Sequence, residues 1–258
     1  MKKQIFILAL LLTGTIYDTI AQPSPRAKQD ISYRYEQSKG ANASAVAWNP
    51  DLKIYFCLIA GNTGFPLEGF SSSGNNVFST TTGFDCRGMW YNPATSKMEI
   101  NGLAEKGWIS FGMNERNNPD ERTVLFEGKH QPDDQSAGAY DPVKKKVIFF
   151  DPATNKLAMY SRSKPKKPKM LSLDLNGTSP SSINWTSVGY TGHDGYEFVL
   201  LDFSAGRLLF YNRKGKQTAT CQLPSDAPLN ETFAFSFTND RAFLYDKDGR
   251  TWYGYKVF

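Results

Sequence analysis

The sequence is poor in the residues that most often carry catalysis and metal binding. It has two histidines and three cysteines in 258 residues. His130 and His193 lie far apart and show none of the short spacings typical of metal sites. The chain also lacks a glycine-rich phosphate loop and a recognisable nucleophile motif. We therefore predict no cofactor and no metal, and the sequence indicates no reaction class.

Long apolar runs are also lacking, apart from one at the amino terminus. Lys2 and Lys3 precede an apolar run over 5–12, and small residues lead up to Ala21, which is typical of a secretory signal. The run is shorter than the roughly 20 residues that a transmembrane helix needs, and no later stretch approaches that length. We expect a cleaved signal over 1–21, a disordered linker over 22–30, no transmembrane segment, and a periplasmic or extracellular location.

The three cysteines leave two alternatives open. An odd number in an exported chain leaves at least one thiol unpaired. Cys57 and Cys86 fall in neighbouring repeats, so a disulfide between them would close a loop and leave Cys221 free. The alternative is three buried thiols that pack as small apolar side chains.

No charge of one sign dominates the chain. The formal net charge is +5, which is too mild to indicate a nucleic-acid partner. The one basic cluster is interleaved with prolines and consists of Lys164, Lys166, Lys167 and Lys169. It is interpreted either as a solvated loop or as a contact for an anionic glycan or a lipid head group.

What the sequence does contain is a repeat. Five segments begin with a small residue, reach an aromatic three positions later and continue into a polar turn and a hydrophobic run. Their aromatics are Trp48, Tyr91, Tyr140, Tyr190 and Phe237, which are 43 to 50 residues apart. This period is typical of β-propeller blades.

The third repeat shows the predicted blade most clearly. Four strands are expected at 137–140, 147–150, 157–160 and 170–175. The fifth repeat ends one strand short, and the alternating segment 31–36 has no other place in the count. We therefore predict an all-β fold: one domain over 31–258, a five-bladed propeller whose last blade is completed by strand 31–36.

The two faces of each first strand differ in bulk. Ala45 and Ala47 point to one face, whereas Val46 and Trp48 point to the other, so the bulk of one blade can enter the hollow of the next. Trp90 is the exception, because its counterparts in the other repeats are small. Either the first and second blades are spaced differently there, or Trp90 faces an opening.

These blade motifs resemble those of known exported propellers. Ala47-Trp48-Asn49-Pro50-Asp51, followed by the strand 54–56, resembles TolB-like repeats, and the turn 151–157 is similar to turns of NHL and quinoprotein-type blades. The resemblance covers most of 31–258 and implies architecture alone. Propellers carry binding, scaffolding and several enzyme chemistries on one frame.

Binding is the function that we favour, with a glycan, a peptide or an envelope protein as partner and a monomer as the oligomeric state. The predicted site lies at one axial end, near the residues Asp85, Arg87, Asp133, Asp134 and Trp185. Two long loops, 61–76 and 114–122, are further candidates. The alternatives are a glycoside hydrolase-like enzyme, which would need converging carboxylates such as Asp85 and Asp133, and a scaffold in an envelope complex.

Overall fold

The computed structural model describes residues 21–35, 42–61, 64, 66–114, 119–120 and 122–258. Within these residues, five four-stranded antiparallel sheets form the blades of a β-propeller. This confirms the predicted fold class. The predicted signal peptide lies outside the described residues, apart from residue 21.

The strands run from the inner to the outer edge of each blade in chain order, except in the last blade. The first strand of the chain is β1 (Lys28–Arg34). Blade 1 contains β2 (Asn42–Asn49), β3 (Ile54–Ala60), β4 (Pro66–Ser71) and β5 (Asn76–Thr81). Blade 2 contains β6 (Cys86–Asn92), β7 (Lys97–Gly102), β8 (Trp108–Phe111) and β9 (Thr123–Phe126).

The remaining blades follow the same order. Blade 3 contains β10 (Ala139–Asp141), β11 (Lys146–Asp151), β12 (Lys156–Ser161) and β13 (Lys169–Ser172). Blade 4 contains β14 (Gly189–Tyr190), β15 (Phe198–Asp202), β16 (Arg207–Tyr211) and β17 (Gln217–Gln222). Blade 5 contains β18 (Phe235–Thr238), β19 (Arg241–Asp246), β20 (Thr251–Lys256) and β1. Two short 3-10 helices span Ala104–Lys106 and Pro180–Ser182.

The amino-terminal strand closes the ring, as predicted. β1 pairs antiparallel with β20, with Ser32 opposite Tyr253. The strand begins at Lys28, three residues before the predicted start, and residue 36 lies outside the described residues. The segment expected to be a disordered linker thus contributes to the strand, and the Ser24 N–H donates to the Val257 carbonyl at 2.8 Å. Both ends of the described chain therefore meet in blade 5.

The core consists of five apolar clusters, one between each pair of neighbouring blades. The predicted faces of the first strand are seen in two of them. Ala45 and Ala47 pack against blade 2, and Val46 packs with Tyr33 of the closing strand on the blade 5 side. The alternation of side chains along a strand therefore distributes each inner strand between two junctions.

Aspartates open the second hairpin turns of blades 3 and 4. The Asp151 carboxylate accepts a hydrogen bond from the Ala153 N–H, and the Asp202 carboxylate accepts one from the Ala205 N–H. These bonds satisfy turn donors that the ladder leaves unpaired.

The prediction of a loop over 61–76 is wrong in part. Residues Pro66–Ser71 form β4, and the Phe70 side chain is buried in the junction between blades 5 and 1. Gly69 is needed there because a Cβ would lie 2.0 Å from the ring of Phe78. Phe65 and most of 114–122 lie outside the described residues.

All three cysteines are buried free thiols. Cys57 packs in the junction between blades 5 and 1, whereas Cys86 packs between blades 1 and 2. Burial raises the pKa of the Cys86 thiol to about 12. Of the two alternatives left open by the sequence, the structure thus has the three buried thiols and not the disulfide between Cys57 and Cys86. The described part of the chain contains no helix with the length and apolar character needed to cross a membrane.

Candidate functional site

The recurring aromatics converge at one end of the propeller axis. They line a cavity of about 330 Å³ to which all five blades contribute. We call this cavity the axial mouth, and its aromatic residues are Trp48, Trp90, Tyr91, Tyr140, Tyr190 and Phe237. Two other cavities of similar volume lie on the outer strand of blade 5 and are lined by few residues each. The axial mouth differs from these two cavities because equivalent residues of all five repeats line it.

The turns after the first strands form the rim of the axial mouth. In blade 1 the buried Asn49 side chain accepts hydrogen bonds from the N–H groups of Asp51 and Leu52, at 3.0 and 3.1 Å. This fixes Pro50 at the rim, and Pro93 and Pro142 occupy the same position in blades 2 and 3. Proline is suited to this position because its φ is already that of the turn.

The lining of the axial mouth contains aromatic rings, prolines and small residues, and no charged side chain. The lining includes polar groups that donate no hydrogen bond within the described residues, namely the indole N–H of half-buried Trp48 and the hydroxyls of Tyr140 and Thr238. Burial, together with the nearby Glu99 carboxylate, raises the pKa of Tyr140. Burial also raises the pKa of Tyr190 to about 12. Both hydroxyls are therefore protonated at neutral pH.

Around the axial mouth, a pair of polar side chains forms a hydrogen bond or ion pair across each junction between blades. The pairs are Asp51 with Tyr91 (2.5 Å), Glu99 with Arg162 (2.6 Å), Asp141 with Arg213, His193 with Asp240 (2.8 Å) and Tyr55 with Asn239 (2.5 Å). Each pair joins two neighbouring blades. They hold the five aromatic positions at fixed separations, which makes the mouth a preformed site.

Glu99 shows how such a pair positions a ring. Its carboxylate is fully buried and accepts two hydrogen bonds from the Arg162 guanidinium, at 2.6 and 2.7 Å. It also accepts one from the Trp90 indole N–H at 3.0 Å. Trp90 packs against Trp108 and stacks on Tyr140 between blades 2 and 3. Of the two alternatives for Trp90, the second holds, because the ring lines the opening of the axial mouth. It packs between blades 2 and 3, and not between blades 1 and 2.

Arg213 has the corresponding role between blades 3 and 4. It pairs with the buried Asp141 carboxylate, and its Nε lies 3.2 Å from the Glu197 carboxylate. It donates to the Tyr190 hydroxyl at 3.0 Å. The second oxygen of Glu197 is buried and has no hydrogen-bond partner among the residues that the structure describes. One guanidinium thus pairs with two carboxylates behind the aromatic lining.

The channel below the axial mouth is almost filled. Its cavity is about 20 Å³, which has room for about one water molecule. The inner strands of blades 2 and 3 approach each other so closely here that glycine is required, since a Cβ on Gly88 would lie 2.2 Å from the Gly138 nitrogen. The axial mouth is therefore a cup and not one end of an open pore.

Arg87 lies at the opposite end of the axis. Its side chain is 5% exposed, and its guanidinium lies 5.6 Å from the ring centre of Phe233, which precedes blade 5. Since Arg87 belongs to blade 2, the contact spans the axis and closes that end. Arg87 donates to Asp85 at 2.5 Å and to Gln135 at 2.8 Å.

The structure brings some of the predicted site residues together. Asp85 pairs with Arg87, and Asp133 is linked to them through Gln135, whose N–H donates to the Asp133 carboxylate at 2.8 Å. Asp134 instead pairs with Lys129 at 2.6 Å. These bonds fix the loops that join the blades. That they also bind a ligand stays a prediction.

Trp185 lies in the loop before blade 4 and is half-buried against the junction between blades 3 and 4. The backbone N–H of Trp185 donates to the Glu231 carbonyl at 3.2 Å. The neighbouring Asn184 side chain is fully buried and donates to the Asn230 and Phe233 carbonyls. This end of the molecule is thus occupied by buried polar bonds.

The histidines contribute to packing in the structure. His193 pairs with Asp240 and stacks on Phe258 with ring centres 3.9 Å apart. His130 lies edge-on to Trp108. No group of three or more metal-ligating side chains occurs among the described residues.

Sequence reasoning identified the recurring aromatics but not the cavity that they line. The signal was the recurring aromatic followed by an Asn-Pro or Asp-Pro turn, which we used to count blades. The same period that makes the aromatics equivalent also places them around one axis. No protein-family model and no curated protein matches the sequence, so the five-bladed architecture is established by the structure, and the likeness to TolB-like and NHL-like blades stays a prediction.

Proposed function

We propose that the protein is an exported binding module that holds the end of a glycan in the axial mouth. The observation that carries this proposal is the cup of about 330 Å³ with an aromatic, uncharged lining. Binding sites are typically concave and mostly apolar, with a few polar groups that orient the ligand. The signal-like amino terminus supports export.

The chemistry of the lining favours a sugar over a charged ligand. Aromatic faces present flat apolar surfaces on which the C–H side of a sugar ring can pack. Around them, the Trp48 indole N–H and the Tyr140 hydroxyl offer hydrogen bonds to sugar hydroxyls. A charged group in the cup would have no partner among the lining residues, and burying it would be costly.

The depth of the cup favours a chain end. The channel below it is about 20 Å³, so a polymer cannot pass along the axis. A terminal sugar can enter the cup while the rest of the glycan leaves over the rim. The proposal therefore predicts that end groups matter more than internal repeats.

A glycan array tests the proposal. We expect the chain from residue 22 onward to bind glycans that share a terminal sugar, and to bind weakly to glycans in which that end is capped. A peptide array in parallel tests the peptide alternative. Binding to peptides alone, or to no glycan by protein whose circular dichroism shows the β fold, would overturn the proposal.

A further inference from the structure

One sector of the mouth end carries a concentrated positive charge. We call it the lysine face, and it consists of Lys144, Lys145, Lys164, Lys166, Lys167 and Lys169. All six side chains are exposed. None of them forms an ion pair with any residue that the structure describes.

The lysine face is a strong local departure from the charge of the chain. Its six lysines carry a formal charge of +6. The whole chain carries +5, so all other residues together carry −1. A solvated loop needs no such concentration, and like charges placed together repel one another. The arrangement is explained if a partner supplies the opposite charge.

The lysine face is continuous with the axial mouth. Pro142 lines the mouth, and the turn that contains Lys144 and Lys145 follows directly. The second loop lies beside this turn, since the Arg162 N–H donates to the Lys145 carbonyl at 3.0 Å. Buried Pro165 anchors that loop between its exposed lysines. A ligand that leaves the cup over the rim of blade 3 therefore meets the lysines.

We infer that the glycan bound by the axial mouth is an anionic polysaccharide, whose end lies in the cup and whose acidic groups contact the lysine face. This inference rests on the proposed function. A polymer is required because the lysines lie outside the cup, and acidic groups are required because the lysines have no carboxylate partner. An anionic membrane is less well supported, because the large apolar side chains exposed beside these lysines are Val143 and Met170, 69% and 39% exposed, which is a small apolar surface for insertion.

The test uses oligosaccharides of hyaluronan and of unsulfated chondroitin that end in the neutral N-acetylhexosamine, each with its carboxyl-methylated, uncharged counterpart. Binding is measured by calorimetry at about 50 mM and about 500 mM salt, because contacts between exposed charges weaken with salt. We expect at least one acid to bind at least tenfold more tightly than its methyl ester at low salt. We expect this difference to shrink at high salt.

Two matched variants locate the charge. The first variant removes three charges from the lysine face by changing Lys164, Lys166 and Lys167 to glutamine. The second variant removes the same charge from turns at the opposite end by changing Lys106, Lys156 and Lys247 to glutamine. We expect the first variant to weaken binding of the acid about tenfold and the second to leave it within twofold. Neither set is buried, so both variants should keep the wild-type melting temperature.

The outcomes separate this inference from the proposed function. Equal binding of acid and ester, unaffected by the lysine changes, would overturn the inference and leave the glycan proposal standing. Binding that depends on the lysines but not on Trp48 would overturn both, since the cup would then hold nothing. Binding of none of the acids would overturn the inference, as would tighter binding to phosphatidylglycerol vesicles than to any of them.

Discussion

The small residues of the recurring motif do as much for the fold as the aromatics. The Gly88 and Gly138 N–H groups both donate to the same buried Asn101 oxygen, at 3.0 Å each. Asn101 in turn donates to the Gln131 side chain and the Ser136 carbonyl. The inner strands of blades 2 and 3 can both lie close enough to Asn101 because Gly88 and Gly138 have no side chains. Glycine at these two positions therefore keeps the axis narrow.

Gly88→Ala should therefore destabilise the protein strongly. A Cβ there would lie 2.2 Å from the Gly138 nitrogen and 2.5 Å from the Asn101 oxygen, so backbone atoms must move. We expect a loss of about 3 kcal/mol in the free energy of unfolding, the upper end for overpacking, measured by chemical denaturation. Gly112→Ala is the control, since a Cβ there would meet no atom within 4 Å. Equal effects of the two changes would contradict the packing of the axis described above.

At this scale the sequence predicted positions better than roles. The alternation of Ala45 and Ala47 with Val46 follows from strand geometry alone, and the structure confirms it. The axial mouth could not be predicted as a cavity, because its volume depends on how five distant segments meet. Arg87 illustrates the same limit, since its contact with Phe233 spans residues far apart in the chain.

Among the elements, the closing strand has the most distinctive role. Tyr33 and Tyr35 of this segment are fully buried in the junction between blades 5 and 1. Asp30 forms an ion pair with Arg241 at 2.7 Å. β1 therefore supplies packing and charge to a blade whose other strands lie more than 200 residues later.

Tyr33→Ala should show how much the stability of the five-bladed propeller depends on this strand. The side chain stacks on Phe70 and Phe243, so its loss leaves a cavity between the last and first blades. We expect a loss of about 3 to 5 kcal/mol in the free energy of unfolding. Arg34→Ala changes the next, exposed residue and should cost less than about 0.5 kcal/mol. A Tyr33→Ala protein as stable as Arg34→Ala would show that closure does not stabilise the ring.

Two strands escaped prediction for a physical reason. β7 has Glu99 and Asn101 at buried positions, which hides the apolar pattern of a central strand. Their burial is tolerated because Arg162 and the glycine N–H groups of other blades satisfy them. β4 contains a proline, a buried Glu68 and a glycine. Such strands are specified by tertiary partners, whereas the strands of the third repeat carry continuous apolar runs from which they can be predicted.

For the whole molecule, buried tyrosines predict a limit to stability at high pH. Burial raises the pKa of Tyr190, Tyr245 and Tyr255 to about 12, against about 10 in an unfolded chain. The folded state therefore holds these protons more tightly. Their contribution to stability is complete below pH 10 and is lost as the pH rises toward 12.

Absorbance at 295 nm, which reports tyrosine ionisation, measures this effect. We expect part of the tyrosine signal to titrate only above pH 11 in native protein, and all of it near pH 10 in guanidinium. The free energy of unfolding should fall between pH 10 and 12, and less so in Tyr255→Phe. A native titration that matches the denatured one would contradict the burial of these hydroxyls.

The central claim is that the ligand binds in the axial mouth and not at the opposite end of the axis. Two half-buried tryptophans allow a direct comparison, since Trp48 lines the mouth and Trp185 lies in the loops at the other end. Isothermal titration calorimetry with a glycan selected on the array should show binding weakened at least tenfold in Trp48→Leu and changed less than twofold in Trp185→Leu. The reverse result, in proteins with unchanged circular dichroism, would contradict the account and return the site to the end near Asp85 and Arg87.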